Sequence, residues 1–98
     1  MAKIRWTYEA VNWLGEIHKY IAQDSPSSAA KVTSGIYEKV QMLVSFPELG
    51  HIYKSESEGD IRILLYGHYR IAYLIKENET IEILGIFHGA LDIERYLV

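Results

Sequence analysis

Residues Ile61–His88 read IRILLYGHYRIAYLIKENETIEILGIFH, three β-rich runs (61–66, 69–76 and 80–88) separated by Gly67-His68 and by Glu77-Asn78-Glu79. Branched and aromatic side chains suit a pleated, half-buried surface, and gaps of two and three residues are hairpin lengths. The segment therefore predicts an antiparallel three-stranded meander. Gly67 fits the first position of a type II′ turn, where φ is positive, and Asn78 is the residue expected to take positive φ in the second turn. Arg62, Arg70 and His88 each interrupt one apolar run. A charge on such a surface must face water, a carboxylate or a ligand, because burying it unpaired is costly. With a strict two-residue turn at Gly67-His68, Arg62 lies opposite Tyr73 and Arg70 opposite Leu65, on different faces. One bulged residue would bring both arginines to the same face, and the sequence leaves the choice open.

Upstream, Ala2, Ile4 and Trp6 alternate with Lys3 and Arg5 as in a strand with one buried face. Thr7 can cap a helix whose first turn holds Glu9, and Ala10, Trp13, Leu14, Ile17, Tyr20 and Ile21 follow at spacings of three and four as far as about Gln23. Gly15 inside that helix costs about 1 kcal/mol against alanine and is read as a mark of close packing. Ser25 and Pro26 restart a helix carrying Ala29, Val32, Ile36, Val40 and Leu43, which should stop near Ser45 because Pro47 disfavours helical geometry at Phe46. So short a connection makes the two helices an antiparallel hairpin. Residues 48–60, ELGHIYKSESEGD, show no period and read as a loop mobile around Ser55–Gly59, either a solvated connector or a flap over a site. Beyond Gly89 the chain reads as a short helix or an extended tail. Its Leu91, Ile93, Tyr96, Leu97 and Val98 exceed what so short a piece can bury alone, so either a partner or the chain's own helices should cover them. The expected class is α+β, one domain over residues 1–98: strand, helical hairpin, three-stranded antiparallel meander, tail.

With 49% hydrophobic and 23% charged residues, the 98-residue chain lies near the globular mean, which excludes disordered and collagen-like classes. The absence of cysteine excludes a disulfide framework and thiolate chemistry. The net charge of -3 disfavours a protein that blankets nucleic acid with positive surface, and residues 48–60 alone set one lysine against four acids. No apolar leader and no run near the ~18 residues of a membrane span are present, so a cytoplasmic protein without membrane contact is expected. His18, His51, His68 and His88 lack metal-ligand spacing, and no phosphate loop or nucleophile elbow occurs, so neither metal nor cofactor is expected. Two readings of Arg62, Arg70 and His88 remain. The arginines either pair with acids such as Asp60, Glu82 or Asp92, or they bind phosphate while His88 moves a proton in phosphodiester cleavage, with Tyr69, Tyr73 and Tyr96 able to stack on bases.

In order of elements and in wording the chain resembles the RelE/ParE superfamily of bacterial type II toxin–antitoxin toxins. The resemblance is carried by Tyr20-Ile21, Ser25-Pro26 and Ala29 in the hairpin, Phe46–Gly50 (FPELG), Tyr69–Ile75 (YRIAYLI) and the closing ILGIFHGALDIERYL. It implies a helical hairpin on an antiparallel sheet, a plasmid-stabilisation role, and a cognate antitoxin protein in a hetero-oligomer, with a homodimer also open. RelE-like members are ribosome-dependent messenger-RNA endoribonucleases, whereas ParE-like members poison DNA gyrase. By resemblance Arg70 stands at a phosphate-binding arginine of the nuclease branch, His88 at its C-terminal histidine and Arg62 near a strand lysine. Leu64 replaces a second lysine, and Leu91 stands where many relatives carry arginine. That incomplete set, together with the acidic charge, favours the ParE-like gyrase reading over the nuclease, with a member that only binds its antitoxin as a third reading. Leu91, Ile93, Tyr96 and Leu97 are the expected partner-binding residues.

Overall fold

The computed structural model describes residues 2–89 and Leu97. Its elements are β1 (Lys3–Trp6), α1 (Tyr8–Ala22), α2 (Pro26–Gln41), a 3-10 turn (Met42–Val44), β2 (His51–Glu56), β3 (Gly59–Tyr66), β4 (Tyr69–Lys76) and β5 (Thr80–His88). One sheet holds all five strands in the order β1-β5-β4-β3-β2. The pairs are antiparallel except β1 with β5, which run parallel. Among the described residues no helix is long and apolar enough to cross a membrane.

The caps work as the sequence predicts. Thr7 Oγ1 accepts the Ala10 N–H at 3.1 Å and also donates to the Ile83 carbonyl at 2.6 Å, so the residue that starts α1 ties the end of β1 to β5. Ser25 Oγ accepts the Ser28 N–H at 3.2 Å, with Pro26 at the head of α2. The helical hairpin covers one sheet face, where Ile36, Val40 and Leu43 meet Leu64, Ile71, Tyr73, Ile83 and Ile86. On the other face Ile63, Ala72 and Phe87 form a smaller cluster, joined by the partly buried Tyr53, Leu84 and Leu97. A bulge shifts β5 so that Ala72 faces Gly85 while Tyr73 faces Ile83, and both Ile83 and Ile86 thereby reach the helix side.

Three expectations need correction. Residues 51–56 are not loop but a fourth strand of the meander, turning into β3 through Ser57-Glu58. An edge strand with both faces near solvent has no buried set to impress a two-residue period. Only Tyr53 of β2 is half-buried, and the strand's bulge lies there. In the last turn the positive φ falls on Glu79 (62°), not on Asn78. A three-residue hairpin loop commonly wants its left-handed residue last, and the Asn78 side chain instead accepts the Thr80 N–H at 3.2 Å. Gly67 does take positive φ (57°) while His68 does not, as a type II′ turn requires.

The third correction is Gly15. It is exposed, and a Cβ added there would meet nothing within 4 Å, so it marks no close approach. Gly15→Ala should therefore raise stability by about 1 kcal/mol, the intrinsic helix preference for alanine. The check is a higher urea midpoint at unchanged denaturant slope; a lower midpoint would reveal a contact at this position.

Candidate functional site

The paired strands decide which polar residues can meet. Arg62 lies opposite Tyr73 and Arg70 opposite Leu65, as a strict two-residue turn requires, so the two arginines occupy different faces. At the far end of β4, Tyr69 pairs with His88 and Arg70 with Phe87, which puts His88 on the face of Tyr69 and Arg70 on the reverse. Arg62 and His88 share the helix side, but Tyr73 and Tyr69 are four residues apart along β4, about 13 Å at strand rise. The three side chains singled out for phosphodiester chemistry are thus not gathered at one point.

Arg62 is engaged internally. Its Nη1 donates to the Gly50 carbonyl at 2.6 Å and to the Glu48 carbonyl at 3.2 Å. Tyr73, its cross-strand neighbour, donates its hydroxyl to the Pro47 carbonyl at 2.7 Å and accepts the Gly50 N–H at 2.9 Å. Together they hold the FPELG turn against the sheet, supplying its backbone groups, among them the buried Gly50 N–H, with partners that neither helix nor sheet provides. Burial pushes the Tyr73 phenol above the ordinary 10.0, against smaller opposing pulls from the Gly50 N–H and the Arg62 charge. Tyr73 is fully buried and cannot stack on a base.

The acids proposed as arginine partners serve others. Asp60 accepts the Ser55 hydroxyl at 2.9 Å, while Glu82 pairs with Arg5 at 2.7 Å and with Lys76 at 3.6 Å. Asp92 lies outside the described residues. Arg70 Nη2 donates to the Gly89 carbonyl at 3.4 Å. His88 is exposed, with its ring edge-on to Tyr69 at 5.7 Å between centroids and roughly parallel to His68 at 6.3 Å. No group of three His, Asp or Glu side chains suited to a metal ion occurs among the described residues. Of the expected partner-binding residues, Leu91, Ile93 and Tyr96 lie outside the described residues, as do Val98 and the predicted terminal helix or tail. Leu97 is half-buried against Ile63, Ala72 and Phe87.

What the sequence did not reveal is a groove of about 530 Å³ where α1 passes the end of the sheet. Trp13, Glu16, Ile17 and Tyr20 line it from the helix, and Tyr69 and His88 from β4 and β5. Tyr20 obeys the apolar spacing of α1 yet is 75% exposed. Its place at the margin of the helical stripe is the one signal that could have separated it from the core.

Comparison with known proteins covers nearly the whole chain. The family model described as "ParE toxin of type II toxin-antitoxin system, parDE" matches residues 4–93. A curated protein of Sinorhizobium fredii (strain NBRC 101917 / NGR234), "Putative toxin Y4kP", is 35% identical over 87 residues, spanning 89% of this chain and 88% of that protein. Among solved structures, a chain of the chromosomal ParDE toxin–antitoxin system from P. aeruginosa superposes with a TM-score of 0.73 at 27% identity, covering 90% of this chain and 96% of that one. A chain of the RelBE2 toxin–antitoxin complex from Mycobacterium tuberculosis shares the fold, with a TM-score of 0.56 at 22% identity over 89% of this chain and 96% of that one.

Proposed function

Since the chain belongs to the ParE toxin family of type II toxin–antitoxin systems, we propose that it arrests bacterial growth by inhibiting DNA gyrase in the cytoplasm and is held silent by a cognate antitoxin. The antitoxin is inferred from the ParDE and RelBE2 neighbours, both of which are toxin–antitoxin assemblies. The observation that carries the gyrase reading against RNA cleavage is the scattering of Arg62, Arg70 and His88. General acid–base cleavage needs its proton donor and its phosphate ligand within hydrogen-bond reach of one substrate. Here Arg62 is occupied by the FPELG turn, and Arg70 and His88 stand on opposite faces. The net charge of -3 supports the same reading, because a protein target imposes no phosphate repulsion.

The test is to induce the chain alone in a bacterium and follow growth, RNA integrity and DNA breaks together, with a supercoiling assay on purified gyrase beside it. Filamentous cells, trapped cleaved DNA and loss of supercoiling are expected, with messages left whole in both the parent and Arg70→Ala. Codon-phased cuts in translated messages that vanish in Arg70→Ala or His88→Ala would replace this reading with the nuclease. Unimpaired growth, with a small neighbouring protein still co-purifying, would leave only antitoxin binding.

A further inference from the structure

Nine large apolar or aromatic side chains are exposed among the described residues, and four of them crowd into one short stretch: Met42 in the 3-10 turn, Phe46 and Leu49 in the FPELG turn, and Ile52 in β2. The stretch is wound tightly. The Phe46 N–H donates to the Met42 carbonyl at 2.9 Å and the Leu49 N–H to the Phe46 carbonyl at 3.1 Å. Arg62, which pairs with Ile52 across β2 and β3, grips the Glu48 and Gly50 carbonyls and so draws the turn against Ile52 on the helix side of the sheet. None of the four belongs to either core cluster. About half of each is exposed, and at roughly 200 Å² for a side chain of this size they leave about 400 Å² of apolar surface in water.

That area is most of what a second copy of the chain needs. A standard interface covers about 800 Å² on each partner, and where two identical chains meet about two-thirds of it is apolar. Charge favours the same occupant. Lys54 and Glu56 beside the patch pair with each other at 3.3 Å, which leaves Lys39 near Met42 and Glu48 in the turn as the flanking charges. A twofold axis through the patch lays the Met42 end of one copy over the Ile52 end of the other, and so sets Lys39 against Glu48. The bulge at Tyr53 and the charge of Lys54 blunt β2 against strand-to-strand extension, so the contact falls to the side chains of the face. Tyr73 and Arg62 already fix the turn, and binding has little left to order.

We propose that two copies of this chain associate about a twofold axis through the patch, with Phe46 of each packed against Leu49 and Ile52 of the other. Such a dimer is a property of the free chain and is independent of which enzyme the toxin inhibits. The interface lies at the small end of specific contacts, so dissociation between about 1 and 100 µM is expected.

Sedimentation velocity on the full chain, across that range and a decade to either side, should show the monomer passing to a dimer. Phe46→Asp and Ile52→Lys, both at exposed positions, should each raise the concentration needed for pairing at least about tenfold while circular dichroism keeps the parent's spectrum. Leu65→Lys, equally exposed but near the far end of β3, should leave pairing unchanged. Amide signals should move with concentration at residues 42–52 and stay fixed along α1. A chain monomeric at every concentration, a dimer indifferent to Phe46→Asp and Ile52→Lys, or concentration-dependent shifts confined to α1 would overturn the proposal. A monomer whose patch is shielded only in the complex with its antitoxin would overturn it as well, and would give the patch to that protein.

Discussion

Gly59→Ala is expected to lower stability by about 4 kcal/mol, close to the whole margin of a domain this small, with the β2–β3 hairpin lost from the sheet. Gly59 has φ +144°, a backbone region essentially confined to glycine, and a Cβ there would overlap the Ile75 carbonyl oxygen of the neighbouring strand. Neither penalty can relax cheaply. The oxygen belongs to the backbone of β4 at the point where Gly59 pairs with Lys76, so moving it means separating β3 from β4. Gly67 provides the contrast. Its φ is also positive, but a Cβ there meets nothing within 4 Å, so Gly67→Ala should cost only about 1–2 kcal/mol from the left-handed backbone alone. Urea denaturation followed by circular dichroism measures both, and equal losses would show that the Ile75 carbonyl does not constrain Gly59.

Tyr73→Phe should destabilise the chain by about 2–4 kcal/mol although it deletes a single oxygen. That oxygen accepts the Gly50 N–H and donates to the Pro47 carbonyl, and its removal takes this partner from a buried donor and a partly buried acceptor, at about 1–3 kcal/mol each. The Gly50 amide should lose its hydrogen-exchange protection, while amides of the β4–β5 ladder remain slow. A pH signature separates this from a generic packing loss. The folded Tyr73 phenol titrates above its unfolded value of 10.0, so the native state holds this proton more tightly than the unfolded chain. Its contribution is fully present below pH 10 and declines as pH rises from there through the folded value. The parent should therefore lose stability in alkali more steeply than Tyr73→Phe, with the gap between them narrowing above pH 10. Parallel alkaline profiles would remove the phenol from the account.

These two sites bear on function because they fix the surface from which any site must be built. Tyr73 and Arg62 commit the middle of the sheet's helix side to holding the FPELG turn, and thereby withdraw Arg62 from the set that resembled nuclease residues. What stays accessible on that side beyond the turn itself is the end of the sheet near His88 and the flank of α1, a surface of aromatic and acidic character. Such a surface suits a protein partner better than a phosphodiester backbone.

Local chemistry was legible directly. The Thr7 and Ser25 caps, the stripe along each helix, the two-residue turn at Gly67 and the runs of β3, β4 and β5 depend on neighbours within a few residues, and a linear reading reaches that far. The register of β3 on β4 was not legible, since the sequence left open a strict two-residue turn or a bulge, and only the paired strands separate Arg62 from Arg70. β2 was illegible for a physical reason: periodicity records burial on one face, and an edge strand held by backbone hydrogen bonds leaves no such record. The parallel seam between β1 and β5 joins residues as far apart as Arg5 and Glu82, the recruitment of Arg62 by the Glu48 and Gly50 carbonyls depends on where the FPELG turn lands, and the groove arises only once α1 is laid across the sheet. Sequence alone determined the two helices of the hairpin, the Gly67-His68 turn and the runs of β3, β4 and β5. Tertiary structure decided which polar groups are consumed within the protein and which are left to meet a partner, because that depends on long-range packing that no local pattern encodes.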